Sequence, residues 1–340
     1  MLIENPVYKP FILTIPDDGI VFSLFDENNV YTEKFFMENY INFYSINPPP
    51  LERVVFRFEN FMDYESIHGI ERYFIPVGMM KKYASDPVVI WKLLEEGYII
   101  NMPVDRGSIS FYGKNAGGTH HMLIFGAESE EGVFLCKDFK GHDFVEFKTT
   151  FSEWKESIQK YNNPTSREAD GLLALRIDRT VSPNIEYSKV LSEFNKLRTD
   201  IYNEYSGYGI GALSLFIRDV EEKEWDSVLC YRWYETSNFM REASKLMQFR
   251  YGTVSKIFGE GEANNMIELK NSVNKLKQDT DRLFLKVCKF SLKKSEPGIS
   301  NRLAALARIC RDDFKRTSDL FYRVIEAQTV YGNLSHHGFP

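Results

Sequence analysis

Apolar and polar positions follow two different patterns along this chain, and the change falls near residue 183. Before it, the apolar runs are short and broken by turn residues. "KPFILTIPDDGIVFSLF" holds two such runs around Pro-Asp-Asp-Gly and predicts a hairpin. "VYTEKFFMENYINFYS" places Val30, Phe35, Phe36, Tyr40 and Phe43 near helical spacing and stops before Pro48-Pro49-Pro50. "SDPVVIWKLLEEG" predicts a short helix with Asp86 as its cap, Pro87 in its first turn and Gly97 at its end. "YIINMPVD" reads as a buried strand. "HHMLIFGA" and "GVFLCKDF" are two more strands, joined through "AESEEG". "DFVEFKTTFSEWKESIQKY" reads as a strand leading into a helix, with Ser152 as the candidate cap.

Residues 164–184 are polar and irregular ("NPTSREADG", "RTVSPN"), which marks a domain boundary. Beyond Pro183 the period becomes helical. Val190, Leu191, Phe194, Leu197, Ile201 and Tyr205 recur at steps of three and four. "EANNMIELKNSVNKLKQDTDRLFLKVCKF" and "SNRLAALARICRDDFKRTSDLFYRVIEA" predict two long helices. The expected organisation is an α+β domain over residues 1–175 and a helical bundle over 184–335. The chain contains no internal repeat and no low-complexity tract.

Composition sets outer limits. Across 340 residues, 43% are hydrophobic and 15% aromatic, enough to bury a large core and to exclude a disordered chain. The net charge of −6 argues against a general nucleic-acid binder, although a local basic patch is compatible with it. The N-terminal residues carry no basic leader followed by an apolar core. No run reaches the roughly 18 apolar residues that a membrane span needs. A soluble cytoplasmic protein is expected, with no membrane and no nucleic acid among its partners. Cys136, Cys230, Cys288 and Cys310 are scattered without a CxxC pair, so neither a zinc knuckle nor a disulfide framework is indicated.

The stretch "GGTHHMLIFGAESEEGVFLCKDF" raises a chemical possibility. Nucleophilic acyl transfer needs a nucleophile, a histidine to take its proton and a group that fixes the imidazole. In an antiparallel pair with a short turn, the first residue of one strand lies beside the last of the next. His120 and Asp138 are placed to meet in this way. Strand parity puts His120 and Met122 on one face and His121 on the other. Spacing leaves the plainer alternative open: an ordinary strand-start histidine and an aspartate in a turn.

The same stretch resembles the histidine-strand-turn-strand-aspartate block of papain-like cysteine peptidases and transferases. His120 and Gly126 match the His-to-Gly step of that block, and Asp138 matches its acid. The preceding "VVIWKLLEEGYIINMPVDRGSISFYGKN" is similar to one branch, the group related to the N-terminal domain of butirosin biosynthesis protein H. Asp105 and Tyr112 fill the Val-Asp and loop-Tyr places of that branch, and "YGIGALSLFIRDV" resembles it too. The likeness covers most of residues 85–220. It implies a papain-like α+β fold with His120 as base, Asp138 as its orienter, and Asp105 and Tyr112 near the substrate. It also implies acyl or aminoacyl transfer from carrier-protein thioesters onto amines in specialised-metabolite assembly. The partners would be an acyl or peptidyl carrier protein, with its phosphopantetheine arm, and a small amine or acyl substrate. No metal and no tightly bound cofactor are expected.

The chain departs from this pattern at one decisive place. The branch uses a cysteine at the start of its first long helix, where the helix N-terminus lowers the thiol pKa. No cysteine precedes Cys136 in this sequence. Cys136 shares a strand face with Asp138 and reads as a buried core residue. Three readings fit. A hydroxyl replaces the thiol, with Ser23 and Thr32 as the nearest candidates. Or His120 activates an amine directly against an already reactive thioester. Or the domain is a non-catalytic pseudoenzyme that binds or scaffolds a partner in such a pathway. Elsewhere, "GKNAGG" lacks the rest of a P-loop and reads as a loop beside the site. A metal site involving His142 lacks supporting spacing. The "CYRWYE" aromatics read as helix core.

Overall fold

A computed structural model describes residues 1–10, 16–26, 29–47, 54–59, 69–84, 86–113, 116–140, 143–162, 171–182, 184–223, 227–259, 264–291 and 298–336. In chain order the elements begin with β1 (Leu2–Glu4), α1 (Pro16–Phe22), α2 (Val30–Glu38), β2 (Phe43–Ile46), β3 (Val55–Phe58) and β4 (Ile70–Pro76). Then come α3 (Val77–Met79), α4 (Pro87–Glu95), β5 (Ile99–Asp105), β6 (Thr119–Glu128), β7 (Val133–Lys140), β8 (Asp143–Thr150), α5 (Phe151–Lys160) and β9 (Gly171–Ile177). The rest is α6 (Tyr187–Leu197), β10 (Asp200–Tyr202), β11 (Ser206–Gly209), α7 (Ile210–Glu222), α8 (Ser227–Phe258), α9 (Asn264–Ser291) and α10 (Ile299–His336). No helix among the described residues is long and apolar enough to cross a membrane.

The chain divides into two compact units, Met1–Glu27 with His68–Ser182, and Asn28–Ile67 with Pro183–Pro340. The expected division assigned residues 28–67 to the first domain, whereas the compact units group them with the helices. The cause is visible in β2 and β3. They pair with β11 rather than with the large sheet, and their inward Phe43 and Phe56 rings meet Phe239, Phe314 and Phe216.

The first unit is built on an antiparallel sheet in the order β4-β9-β5-β6-β7-β8, with β1 also paired to β6. One face of it forms a core. Met102, Val104, Met122, Ile124, Phe134 and Cys136 pack under Ile90 and Leu94 of α4 and Trp154 and Ile158 of α5. Asp86 caps α4 as expected, its Oδ1 accepting from Val88 N at 3.0 Å. The cap of α5 is Thr150 and not Ser152. Thr150 and Glu153 bond reciprocally in a capping box, which Ser152, two residues too late, cannot form. The "PDDGIVF" segment is helix α1 rather than a hairpin turn. The residues between it and Lys9-Pro10 lie outside those described.

The second unit joins the sheet β10-β11-β2-β3 to the helices α7–α10. The helix expected to run on to Tyr205 ends at Leu197, and Ile201 instead pairs with Tyr208 in a strand ladder. Gly209 makes this turn possible. Its φ is +57°, and a Cβ there would stand 2.5 Å from the Leu197 carbonyl oxygen.

Candidate functional site

The site grows out of the way β6 and β7 part. Their pairing runs from Glu128↔Val133 to Leu123↔Lys137, with a bulge between Ile124 and Gly126. Gly126 is required there, because a Cβ would meet the Ile3 carbonyl oxygen at 2.6 Å where β1 crosses. Above Leu123, the start of β6 pairs with β5, and the end of β7 pairs with β8. His120, opposite Val104, and Asp138, opposite Val145, face one another across the opening.

His120 Nε2 lies 2.9 Å from Oδ1 and 2.9 Å from Oδ2 of Asp138. Asp138 is only 3% exposed and also accepts from the Phe139 backbone N–H at 2.6 Å and from the Tyr112 hydroxyl. A buried carboxylate is tolerable because these donors replace its water. The His120 side chain is 33% exposed, and its Nδ1 makes no hydrogen bond among the described residues. With Nε2 facing a carboxylate, the hydrogen-bond network assigns the neutral ring's proton to Nε2 and a basic lone pair to Nδ1.

Tyr112 arrives on the segment after β5, and that segment is pinned at several points. Asp105 Oδ1 accepts from Ser108 Oγ at 3.2 Å, and the Asp105 carbonyl accepts from Ser157 Oγ at 2.9 Å. The Phe111 ring stacks on Phe147 at 3.9 Å and 6°. The Ser110 N–H donates to Glu153 at 3.2 Å. Tyr112 then sets its ring edge-on to His120, with centroids 5.9 Å apart. Burial, followed by the Asp138 charge, pushes the Tyr112 hydroxyl far above its ordinary pKa, so it stays a donor. The resemblance implies that Asp105 and Tyr112 lie near the substrate; in the fold Asp105 accepts from Ser108 within its own turn and Tyr112 donates to Asp138.

Among the described residues, no hydrogen bond joins a candidate nucleophile to His120. Cys136 is fully buried, its Sγ points to the Phe134 carbonyl oxygen at 3.8 Å, and burial pushes the thiol well above its usual range. Ser23 is fully buried and donates to the Ile20 carbonyl at 2.6 Å. Thr32 is buried in α2, in the other unit. His142, Lys114 and Asn115 lie outside the described residues.

A cavity of about 240 Å³ opens at His120 and Asp138 and continues along Ile20, Leu123, Lys137 and Phe144. Sequence reasoning passed over Ile20 and Lys137. The signal for Lys137 was its position between Cys136 and Asp138, which turns it to the opposite face of β7. A larger cavity of about 450 Å³ lies by Glu71 and Arg176. There Arg176 and Glu71 are already paired at 2.6 Å, and no histidine among the described residues borders the space.

No protein-family model matches the chain, and no curated protein matches its sequence.

Proposed function

We propose that the first unit is papain-like and that it transfers an acyl or aminoacyl group from a carrier-protein thioester to an amine. The observation that carries this reading is the His120–Asp138 pair, with the imidazole Nδ1 unpartnered among the described residues and His120 lining a cavity. His120 acts as general base without a covalent intermediate. The amine nitrogen attacks the thioester carbonyl as Nδ1 takes the amine proton. The C–S bond then breaks, and the thiolate of the phosphopantetheine arm receives that proton back. Asp138 stabilises the imidazolium and fixes its orientation, and Tyr112 and the Phe139 N–H hold Asp138. A thioester is reactive enough for one base to suffice, which suits a site where Cys136 is sealed and Ser23 is committed to a carbonyl.

The absence of a nucleophile bonded to His120 among the described residues favours one competing reading, a pseudoenzyme that binds or scaffolds a carrier-dependent partner. The two separate on incubation with acyl-loaded carrier proteins, or with acyl N-acetylcysteamine thioesters, and a primary amine. Transfer predicts amide product in the presence of the protein and an unchanged intact-protein mass. A stable acyl adduct would place a nucleophile in the chain. No product from any donor would leave the scaffold.

A further inference from the structure

Resting on the acyl-transfer reading, we propose that the cavity beside His120 selects a short acyl group that ends in a carboxylate, with Lys137 as its binding group. Strand parity puts Leu123 and Lys137 on the face of the sheet away from the α4–α5 core, and the Phe139 and Phe144 rings follow at 4.8 Å. Ile20, Leu123, Phe139 and Phe144 give the cavity its apolar walls, and Thr119, His120, His121 and Asp138 line it with Lys137. Lys137 supplies the charge. Its side chain is only 18% exposed, which is unusual for lysine without a full counter-charge. Its ammonium lies 4.8 Å from the centre of the Phe125 ring and 6.0 Å from that of Phe144, a wall of the cavity. The Val7 carbonyl accepts one of its N–H groups at 3.1 Å. Glu146 stands off at 3.7 Å with its own side chain 59% exposed. An ammonium has three donors, so Lys137 keeps capacity for an anion.

Size limits the guest. A volume of about 240 Å³ holds about eight waters at roughly 30 Å³ each, below the usual range for drug-sized ligands. A four- to six-carbon chain is the matching class. A terminal carboxylate on such a chain would meet Lys137 in a poorly hydrated setting, where a charge-assisted hydrogen bond is strong. An uncharged chain of equal length would leave the ammonium as it is and gain only the apolar contacts.

The test compares glutaryl with pentanoyl N-acetylcysteamine thioesters, equal in carbon count, in amide formation with a primary amine. Calorimetric affinities for the two corresponding unreactive amides are measured alongside. The glutaryl compound should be preferred roughly tenfold or more in both assays. Lys137→Met should bring both ratios toward one, and Lys137→Gln, which keeps a donor for the Val7 carbonyl, should do the same. Equal wild-type affinity for the two amides would overturn the proposal, and so would a preference that survives in a folded Lys137 variant. If neither variant folds, the wild-type affinities decide alone. A Lys137-dependent preference in binding, with no turnover of any thioester, would keep the pocket and remove the acyl-transfer reading.

Discussion

Tyr112 donates its hydroxyl proton to Oδ2 of Asp138, the carboxylate that holds His120. The donor comes from the segment after β5, the acid from β7 and the base from β6, so three separate stretches of chain fix one imidazole. Asp138 is almost fully buried, and each donor lost removes part of what replaces its water.

Tyr112→Phe should therefore destabilise the fold by about 1–3 kcal/mol, the cost of taking one charge-assisted donor from a buried carboxylate. Urea unfolding with matched m-values checks this. A change below a few tenths of a kcal/mol would mean that water replaces the hydroxyl without penalty.

The same hydroxyl gives a pH dependence. Its pKa is raised in the folded protein, so between the unfolded value of about 10 and the folded value the native state holds one proton more. The stabilisation is fully present below pH 10 and is lost as the pH rises beyond it. Circular dichroism from pH 8 to 12 should show wild type losing stability more steeply above pH 10 than Tyr112→Phe. Parallel curves would contradict the assignment.

Cys136 should be inert in the native state. Its raised pKa and complete burial predict no modification by iodoacetamide at pH 8 until the protein unfolds. Cys136→Ser should keep transfer activity at a stability cost of about 1–3 kcal/mol, because a hydroxyl enters an apolar core. Complete loss of transfer in a folded Cys136→Ser protein would make this thiol the nucleophile.

In the second unit, Arg250 is buried and donates to the Phe36, Asn39 and Tyr40 carbonyl oxygens, each at 2.8 Å. These groups end α2 and hold Tyr40 at a φ of +57°, which is strained for a tyrosine. Arg250→Met should cost about 3 kcal/mol or more, and Arg250→Lys should recover only part, since a single ammonium cannot reproduce the fork. Thermal unfolding of the two variants measures the difference.

The parts legible in the sequence were those whose pattern is local. The β6 and β7 runs, the turn between them and the parity of His120 and Asp138 required only alternation and a short connection. The Asp86 cap and the Gly97 stop of α4 were equally local, with Gly97 at a φ of +85°. Long-range pairing was not legible. Phe43 extends the helical spacing of the residues before it, yet it sits in β2, because pairing with β3 and burial against Phe239 and Phe314 outweigh local period. The hydroxyl of Tyr112 on Asp138 depends on a turn fixed by Phe111, Ser110 and Asp105, contacts that no spacing rule announces.

The measurement closest to the central claim is the transfer rate of wild type, His120→Ala and Asp138→Asn with one acyl thioester and one amine, each variant confirmed folded by circular dichroism. General-base catalysis by His120 predicts a fall of roughly 10²–10⁴-fold for His120→Ala. Asp138→Asn should also fall, because an amide can favour the wrong imidazole tautomer while preserving shape. Folded variants that transfer at the wild-type rate would contradict the account and leave the His120–Asp138 pair as structure alone.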